Sequence, residues 1–296
     1  MMEQKIKATF AGLLGYSIFG FSFLFSKIAL DLVSPSVLLS VRFLAAFLVM
    51  NGLLLSGAQR ISLRGKPVGM LLLLGLAQPV LYFLFEAYGI SMTSASFSGV
   101  MIGLAPVVGL VFGVLFLKER CTVFQALCTV LSVVGVAMTT TGGFGTVSLK
   151  GFFLLLGAVI SAALFAILSR KTAAHFSAFE RTYVMFALGS GVFSAIALWE
   201  NRRDLSVLAD SLSRHGAFWA AVAYLAVASS VCAFLLINYS LSHISAGRAL
   251  IFSNFTTVIS VLSGIFLMGD SFTSVQLIGI LIITVSVFGV SAQKEG

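Results

Sequence analysis

The chain has 296 residues, of which 59% are apolar and 9% charged, whereas about a quarter of the residues of an ordinary soluble domain carry a charge. With a mean hydropathy of +1.10, this composition excludes a water-soluble globule, a disordered chain and a coiled coil. The net charge of +8 does not indicate nucleic-acid binding, because the basic residues lie in small groups between apolar runs and form no stripe interleaved with aromatic residues. We therefore expect an all-α integral membrane protein.

Ten apolar segments are long enough to cross a bilayer core of about 30 Å, which needs roughly 20 helical residues because backbone polar groups cannot stay unpaired in hydrocarbon. The predicted spans 1 to 10 are residues 8–30, 36–56, 67–89, 95–117, 123–141, 151–169, 178–199, 216–237, 246–268 and 274–292. Span 1 follows Lys5 and Lys7 and is too long for the core of a signal peptide, so we expect it to remain uncleaved.

Lysine and arginine fall mainly on one face of this topology. With a cytoplasmic N-terminus, 12 of the 18 basic residues lie on the inside and six on the outside. The positive-inside rule therefore predicts that both termini are cytoplasmic.

The second half of the chain repeats the first at an offset of 151 residues. Tyr88 then aligns with Tyr239, Gly113 with Gly264, and Gln125 with Gln276. This divides the chain into two five-span repeats, residues 1–145 and 146–296. Because five is odd, the halves enter the membrane from opposite sides, as in secondary transporters with an alternately exposed central site. A duplication that only builds a stable bundle is the alternative.

Several segments carry a family resemblance. Residues 82–119 (YFLFEAYGISMTSASFSGVMIGLAPVVGLVFGVLFLKE), residues 239–270, FGFSFLFSK in span 1 and VRF at Arg42 resemble the EamA-like family of the drug/metabolite transporter superfamily. The resemblance covers almost the whole chain. It implies a ten-span transporter of the bacterial inner membrane with cytoplasmic termini, mostly exporting amino acids or other small metabolites.

The chain also departs from the family pattern at three positions. Phe19 stands where Trp is frequent, Thr257 where a proline is frequent, and Asp270 where Glu is frequent. The resemblance therefore implies the fold without implying a particular substrate.

Charged residues inside spans are costly, and each is a candidate for function. At about 1.5 Å per helical residue, Glu86 lies roughly 7 Å, Arg42 roughly 9 Å and Lys27 roughly 6 Å inside the outer ends of their spans. The three candidates therefore share one layer of the outer half. Glu86 is predicted to bind a substrate amine or to carry a proton, and simple neutralisation of Arg42 or Lys27 remains open.

Further candidates are polar or conformationally special residues. Those expected to face a central space are Tyr82, Tyr88, Asn238, Tyr239 and Asn254. Pro79 and Pro106 are hinge candidates, because a proline removes a helical hydrogen bond. Small residues at four-residue spacing predict close helix packing. They are Gly99, Gly103, Gly109, Gly113, Ser260 and Gly264. Packing within the chain and a homodimer interface are both open.

Other functions find little support in the sequence. The glycine-rich segment TTGGFGT at residues 140–146 lacks the Lys and the Ser or Thr of a phosphate-binding loop, and we recognise no metal-ligand spacing or nucleophile motif. We therefore predict a transporter and no enzyme, with no cofactor or metal. An ion gradient is expected to supply the energy, with proton antiport and facilitated exchange both open. A lipid-linked carrier or flippase on the same scaffold is the alternative.

Overall fold

The computed structural model describes residues 2–117, 122–140, 148–204, 206, 213, 216–244, 249–250, 252–269 and 273–292. All regular elements in these ranges are helices. The α-helices are α1 (Met2–Leu30), α2 (Pro35–Leu55), α3 (Val68–Gly75), α4 (Tyr82–Ser91), α5 (Ala95–Ile102), α6 (Ala105–Leu117), α7 (Val123–Thr140), α8 (Leu149–Thr172), α9 (Ala178–Glu200), α10 (Gly216–Ala223), α11 (Ala233–His243), α12 (Ser253–Ser263) and α13 (Ser274–Ala292).

Three π-helical segments extend these helices into longer rods. Leu76–Leu81 joins α3 to α4, Tyr224–Cys232 joins α10 to α11, and Gly264–Met268 continues α12. The first contains Pro79, whose missing N–H cannot complete a helical hydrogen bond, and Gln78 has a non-helical backbone there. Pro106 instead lies in the first turn of α6, where a missing N–H costs little. The interruption near it falls at Gly103 and Leu104, between α5 and α6.

Seven rods among the described residues are long and apolar enough to cross a membrane. They are Glu3–Leu30, Pro35–Leu55, Val68–Ser91, Ala95–Phe112, Leu149–Thr172, Ala178–Glu200 and Gly216–His243. Shorter apolar helices occupy Ala126–Gly135, Ser253–Met268 and Ser274–Ser286. The prediction of a helical integral membrane protein is therefore confirmed.

Several predicted spans differ in their boundaries from the observed helices, most clearly spans 1, 8 and 9. Span 1 was expected from residue 8, whereas α1 begins at Met2. Span 8 was expected to end at residue 237, whereas α11 continues to His243 and includes Asn238 and Tyr239. Asn238 and Ser242 in this last turn form hydrogen bonds with Arg181 and Thr182 of α9, which favours continuation of the helix although the hydropathy falls. Span 9 was expected from residue 246, whereas α12 begins at Ser253. Residues 245–248 and 251 lie outside the described ranges.

The two halves of the chain pack mainly against each other. In the most extensive helix pairs, α1 lies against α11 and α12, α2 against α9, α4 against α8, α5 against α12, and α7 against α13. Each pair joins a helix from residues 1–145 to one from residues 146–296. The largest cluster of buried apolar residues therefore lies between the halves.

Small residues bring α5 and α12 into direct backbone contact. A Cβ atom added at Gly99 would lie 1.6 Å from Ser260 Oγ, and one added at Gly103 would lie 2.1 Å from Thr257 Oγ1. Thr257 Oγ1 donates a hydrogen bond of 3.0 Å to the Gly99 carbonyl. Gly109 faces Leu250, while Gly264 begins the third π-helical segment and Gly113 lies in α6. Gly99, Gly103 and Ser260 thus pack within the chain.

We expect the substitution Gly99→Ala to destabilise this crossing, because the new methyl group overlaps Ser260 and overpacking costs about 1–3 kcal/mol. Melting of the purified protein in detergent measures the effect. Gly52→Ala, whose Cβ meets nothing within 4 Å, is the control. The double variant Gly99→Ala with Ser260→Gly should recover most of the loss, and the absence of recovery would contradict the proposed contact.

Candidate functional site

A cavity lies between the two halves, and its empty space, including the part open to solvent, is about 420 Å³. It is bounded by α1, the α3–α4 rod, α5, α6, α8, α11 and α12, together with Leu250. The residues that line it are Tyr16, Phe19, Gln78, Tyr82, Ile102, Ala105, Ala162, Phe165, Phe234, Ile237, Leu250, Ser253 and Thr256.

Aromatic rings form much of the wall. Phe19 contacts Tyr82, with ring centroids 5.9 Å apart, and Phe234, with centroids 6.0 Å apart. Phe234 also contacts Phe165 at 5.8 Å. None of the lining residues carries a formal charge. The wall is therefore apolar and aromatic with a few polar groups, which is typical of a site for a small organic molecule.

Glu86 lies one helical turn behind this wall and is buried, with 1% of its surface exposed. Its Oε1 accepts a hydrogen bond of 3.3 Å from the hydroxyl of Tyr82, which lines the cavity. Arg42 interacts with the carboxyl group electrostatically, but no Lys or Arg nitrogen among the described residues lies within 4.0 Å of it. Glu86 is thus linked to the cavity through Tyr82 and has no direct ion pair in the described part of the chain.

Arg42 is buried and is held by hydroxyl groups of the second half. Its Nε donates to Ser230 Oγ at 3.0 Å and its Nη2 to Ser229 Oγ at 3.1 Å, both in the π-helical segment Tyr224–Cys232. The guanidinium carbon also lies 4.4 Å from the centre of the Phe83 ring, a cation–π contact. The sequence analysis missed both serines, because a hydroxyl in an apolar helix gives no signal of what it faces.

Lys27 lies apart from these two residues. It forms an ion pair of 2.8 Å with Asp31, one turn further along the chain. The three charges predicted to share one layer therefore separate into an Arg42–Glu86 region and a Lys27–Asp31 pair at the end of α1.

Arg181 lies early in the predicted span 7, as Arg42 lies early in the predicted span 2, and it is also buried but binds different groups. Its Nη1 donates to the carbonyl and hydroxyl of Ser169 at 2.7 Å, and its Nη2 donates to the Asn238 carbonyl at 2.6 Å and to Ser242 Oγ. The Asn238 side chain accepts from Ser169 Oγ at 2.6 Å and donates to Thr182 Oγ1 at 3.0 Å. The structure therefore places Asn238 in a network around Arg181 and not among the cavity-lining residues.

The remaining predicted site residues are dispersed. Tyr88 donates a hydrogen bond of 2.8 Å to Glu200, at the ends of α4 and α9. Tyr239 lines a second pocket, and its ring lies 4.5 Å from that of His243. Asn254 follows the cavity residue Ser253, and its buried Nδ2 has no hydrogen-bond partner in the described part of the structure.

A carboxylate that the sequence analysis overlooked connects the segment between α2 and α3 to α9. Glu180 binds Lys66 Nζ at 2.9 Å through both oxygens and accepts from the Ser62 N–H at 2.9 Å. With Ser177 it also forms a capping box at the start of α9. The spacing of Ser177 and Glu180 is the S-x-x-E signature of that motif, which the sequence alone could have revealed.

The described residues contain no group of three or more His, Cys, Asp or Glu side chains able to hold a metal ion. Taken together, a bundle of membrane-length helices surrounds a mainly aromatic cavity that two buried charges adjoin. This arrangement suits a membrane protein that binds a small solute.

Comparison with known proteins identifies the class. The sequence matches the model of the EamA-like transporter family over residues 6–141 and 149–292, and the chain belongs to this family. It is similar to "Uncharacterized transporter YcxC" of Bacillus subtilis (strain 168), with 35% identity over 99% of this chain and 95% of the relative. It is also 23% identical to an "Uncharacterized transporter" of Archaeoglobus fulgidus, over 87% of this chain and 88% of the relative.

A protein of known crystal structure shares the fold, with a TM-score of 0.71 and 17% identity over 96% of both chains. The predicted family membership is thus confirmed. The family and the names of the relatives indicate a membrane transporter and not an enzyme.

We expect Arg181→Lys to destabilise the protein, since a lysine retains the charge but cannot reach the acceptors that the planar guanidinium serves. Unsatisfied buried acceptors cost about 1–3 kcal/mol. The matched control is Arg202→Lys, because Arg202 is exposed and its described contacts are confined to Trp199, one turn away: a hydrogen bond to the carbonyl and a cation–π contact with the ring. Equal melting temperatures for both variants in detergent would contradict a structural role for Arg181.

Proposed function

We propose that this protein is a secondary active transporter that exports a small metabolite, such as an amino acid, by alternating access. The observation that carries the proposal is the composition of the cavity wall. It draws on α1, α3–α4 and α5–α6 from the first half and on α8, α11 and α12 from the second. These elements lie in the predicted spans 1, 3 and 4 and their repeat counterparts 6, 8 and 9. A site shared in this way opens to either side as the halves change their relative positions.

Ten spans and two inverted repeats are part of the same proposal. The seven membrane-length rods and three shorter apolar helices overlap the ten predicted spans one by one. The family model matches two successive ranges of similar length. At the offset of 151 residues, the π-helical segment Leu76–Leu81 corresponds to residues 227–232, inside Tyr224–Cys232. These correspondences support a duplicated five-helix unit.

The interrupted helices also suit transport. Helix breaks in secondary transporters lie near solute sites at the middle of the membrane, where freed backbone groups face a cavity. Here the break at Gln78 falls near the centre of the rod Val68–Ser91, and Gln78 lines the cavity. This position supports the cavity as the solute site.

Glu86 is our candidate for proton coupling. Its carboxyl group bonds to a tyrosine of the cavity wall and interacts with Arg42, which is anchored to the second half. Gain or loss of a proton at Glu86 changes both interactions. Protonation would therefore alter the packing of the halves around the solute.

We expect Glu86→Gln to abolish pH-driven transport while leaving expression intact, since glutamine preserves the shape and hydrogen-bonding capacity of the side chain but cannot exchange a proton. Uptake of a labelled amino-acid mixture into inside-out vesicles with an acidic lumen measures this. The expected loss is at least about tenfold, the effect of roughly 1.4 kcal/mol. Asp204→Asn, in an exposed segment, is the control. Undiminished pH-driven uptake by Glu86→Gln would remove Glu86 from the mechanism.

We expect both chain ends on the cytoplasmic face, because the positive-inside rule and an even number of spans require it. Green fluorescent protein fused to either terminus should fluoresce, and alkaline phosphatase inserted after Arg203 should be active. Termini on opposite faces would imply an odd number of spans and overturn the inverted five-helix repeats.

A further inference from the structure

Two buried polar side chains face the cavity without a partner. Gln78 is 4% and Tyr16 9% exposed, and both line the cavity. In the part of the chain that the structure describes, neither the Gln78 amide nor the Tyr16 hydroxyl makes a hydrogen bond, whereas the hydroxyls of Tyr82, Ser253 and Thr256 all do. Buried polar groups are nearly always paired. Ser240 Oγ, Asn254 Nδ2 and Gln276 Nε2 are also buried and unpaired, but these residues do not line the cavity. Gln78 and Tyr16 are therefore distinguished by being both unpaired and accessible to a solute in the cavity.

Both side chains are positioned by their backbones. Gln78 lies at the helix break with φ −151° and ψ 121°, and Pro79 beside it packs closely against Gly189 of α9, where an added Cβ would lie 2.7 Å from the proline ring. The carbonyl of Tyr16 accepts a hydrogen bond of 2.9 Å from Thr256 of α12. The backbone at both positions is thus held by contacts between the two halves.

The rest of the wall limits which group can bind there. A charged group entering the cavity would lose its hydration and meet no counter-charge among the lining residues, which is strongly unfavourable. An amide and a phenol both donate and accept hydrogen bonds, so an uncharged polar group satisfies them. The rings of Phe19, Phe165 and Phe234 provide contacts for an apolar or aromatic body.

We propose that Gln78 and Tyr16 are solute-recognition residues. They hydrogen-bond one uncharged polar group, such as a carboxamide, of a solute whose apolar or aromatic body packs on the phenylalanines of the wall. Any charged part of a larger solute, such as the ammonium and carboxylate groups of an amino acid, lies outside the cavity. The proposal rests on the proposed function in that it takes this cavity as the transport site.

The proposal is tested by measuring how tightly four compounds of nearly equal shape bind to the purified protein. Benzamide presents an uncharged amide, acetophenone replaces its amino group by a methyl group, benzoate is an anion and benzamidine is a cation. Ligand-induced thermal stabilisation gives the dissociation constants. We expect benzamide to bind about three- to tenfold more tightly than acetophenone, the usual value of a hydrogen bond, and at least about tenfold more tightly than both ions.

The variants Gln78→Met and Tyr16→Phe should lose the preference for benzamide over acetophenone while still binding acetophenone. If Gln78 and Tyr16 had a purely structural role, their substitution would weaken the binding of both compounds equally. Tyr183→Phe is the matched control, because its hydroxyl bonds to Asn51 and Tyr183 is not a cavity-lining residue. Lack of benzamide binding by the unaltered protein, tight binding of either ion, or an unchanged preference in both variants would overturn the proposal.

Transport of the labelled amino-acid mixture in the same preparation separates the two proposals. If the protein carries out gradient-driven transport but does not prefer benzamide, only the assignment of Gln78 and Tyr16 as recognition residues is refuted. If the protein prefers benzamide but transports no solute under an imposed pH gradient, the recognition site is supported and the proposed function is refuted.

Discussion

The structure depends on one constraint: a polar group buried within the membrane must find its partner inside the protein. Arg42 and Arg181 show how the chain meets it. Each guanidinium has five N–H donors. The described hydrogen bonds of both lead to serine hydroxyls or backbone carbonyls, mostly on neighbouring helices. Arg42 belongs to residues 1–145 and its two serines to residues 146–296. The hydrogen bonds that Arg42 requires therefore also fix how the two halves pack.

The same constraint explains where the helices are interrupted. A break exposes backbone groups, which are tolerated at membrane depth only against protein or a cavity. The π-helical segment Tyr224–Cys232 presents Ser229 and Ser230 to Arg42, and the segment Leu76–Leu81 presents Gln78 to the cavity. Small residues have a complementary role, because they allow helices to pack closely. At Gly99 and Gly103 they let α5 and α12 approach closely, which closes the bundle beside the cavity.

Exceptions to the constraint lie both at the cavity and away from it, where Ser240 Oγ, Asn254 Nδ2 and Gln276 Nε2 are unpaired. Gln78 and Tyr16 face the cavity unpaired, and Glu86 reaches the same wall only through Tyr82. A protein selected only for stability would replace such groups by apolar ones, since an unpaired buried group costs about 1–3 kcal/mol. Their grouping around a shared space between the halves is consistent with a solute that completes their hydrogen bonds during transport.

The sequence by itself determined the membrane helices, the family and the burial of Glu86 and Arg42, because hydropathy and motif spacing are local properties of the chain. It did not predict that α11 continues through Asn238, or that Asn238 and Ser169 surround Arg181. It also did not separate Tyr82, which lines the cavity, from Tyr88, which bonds to Glu200. Only the tertiary structure decided these points. The rotation and crossing of each helix select which face meets the cavity, and partners such as Arg42 and Ser230 are 188 residues apart.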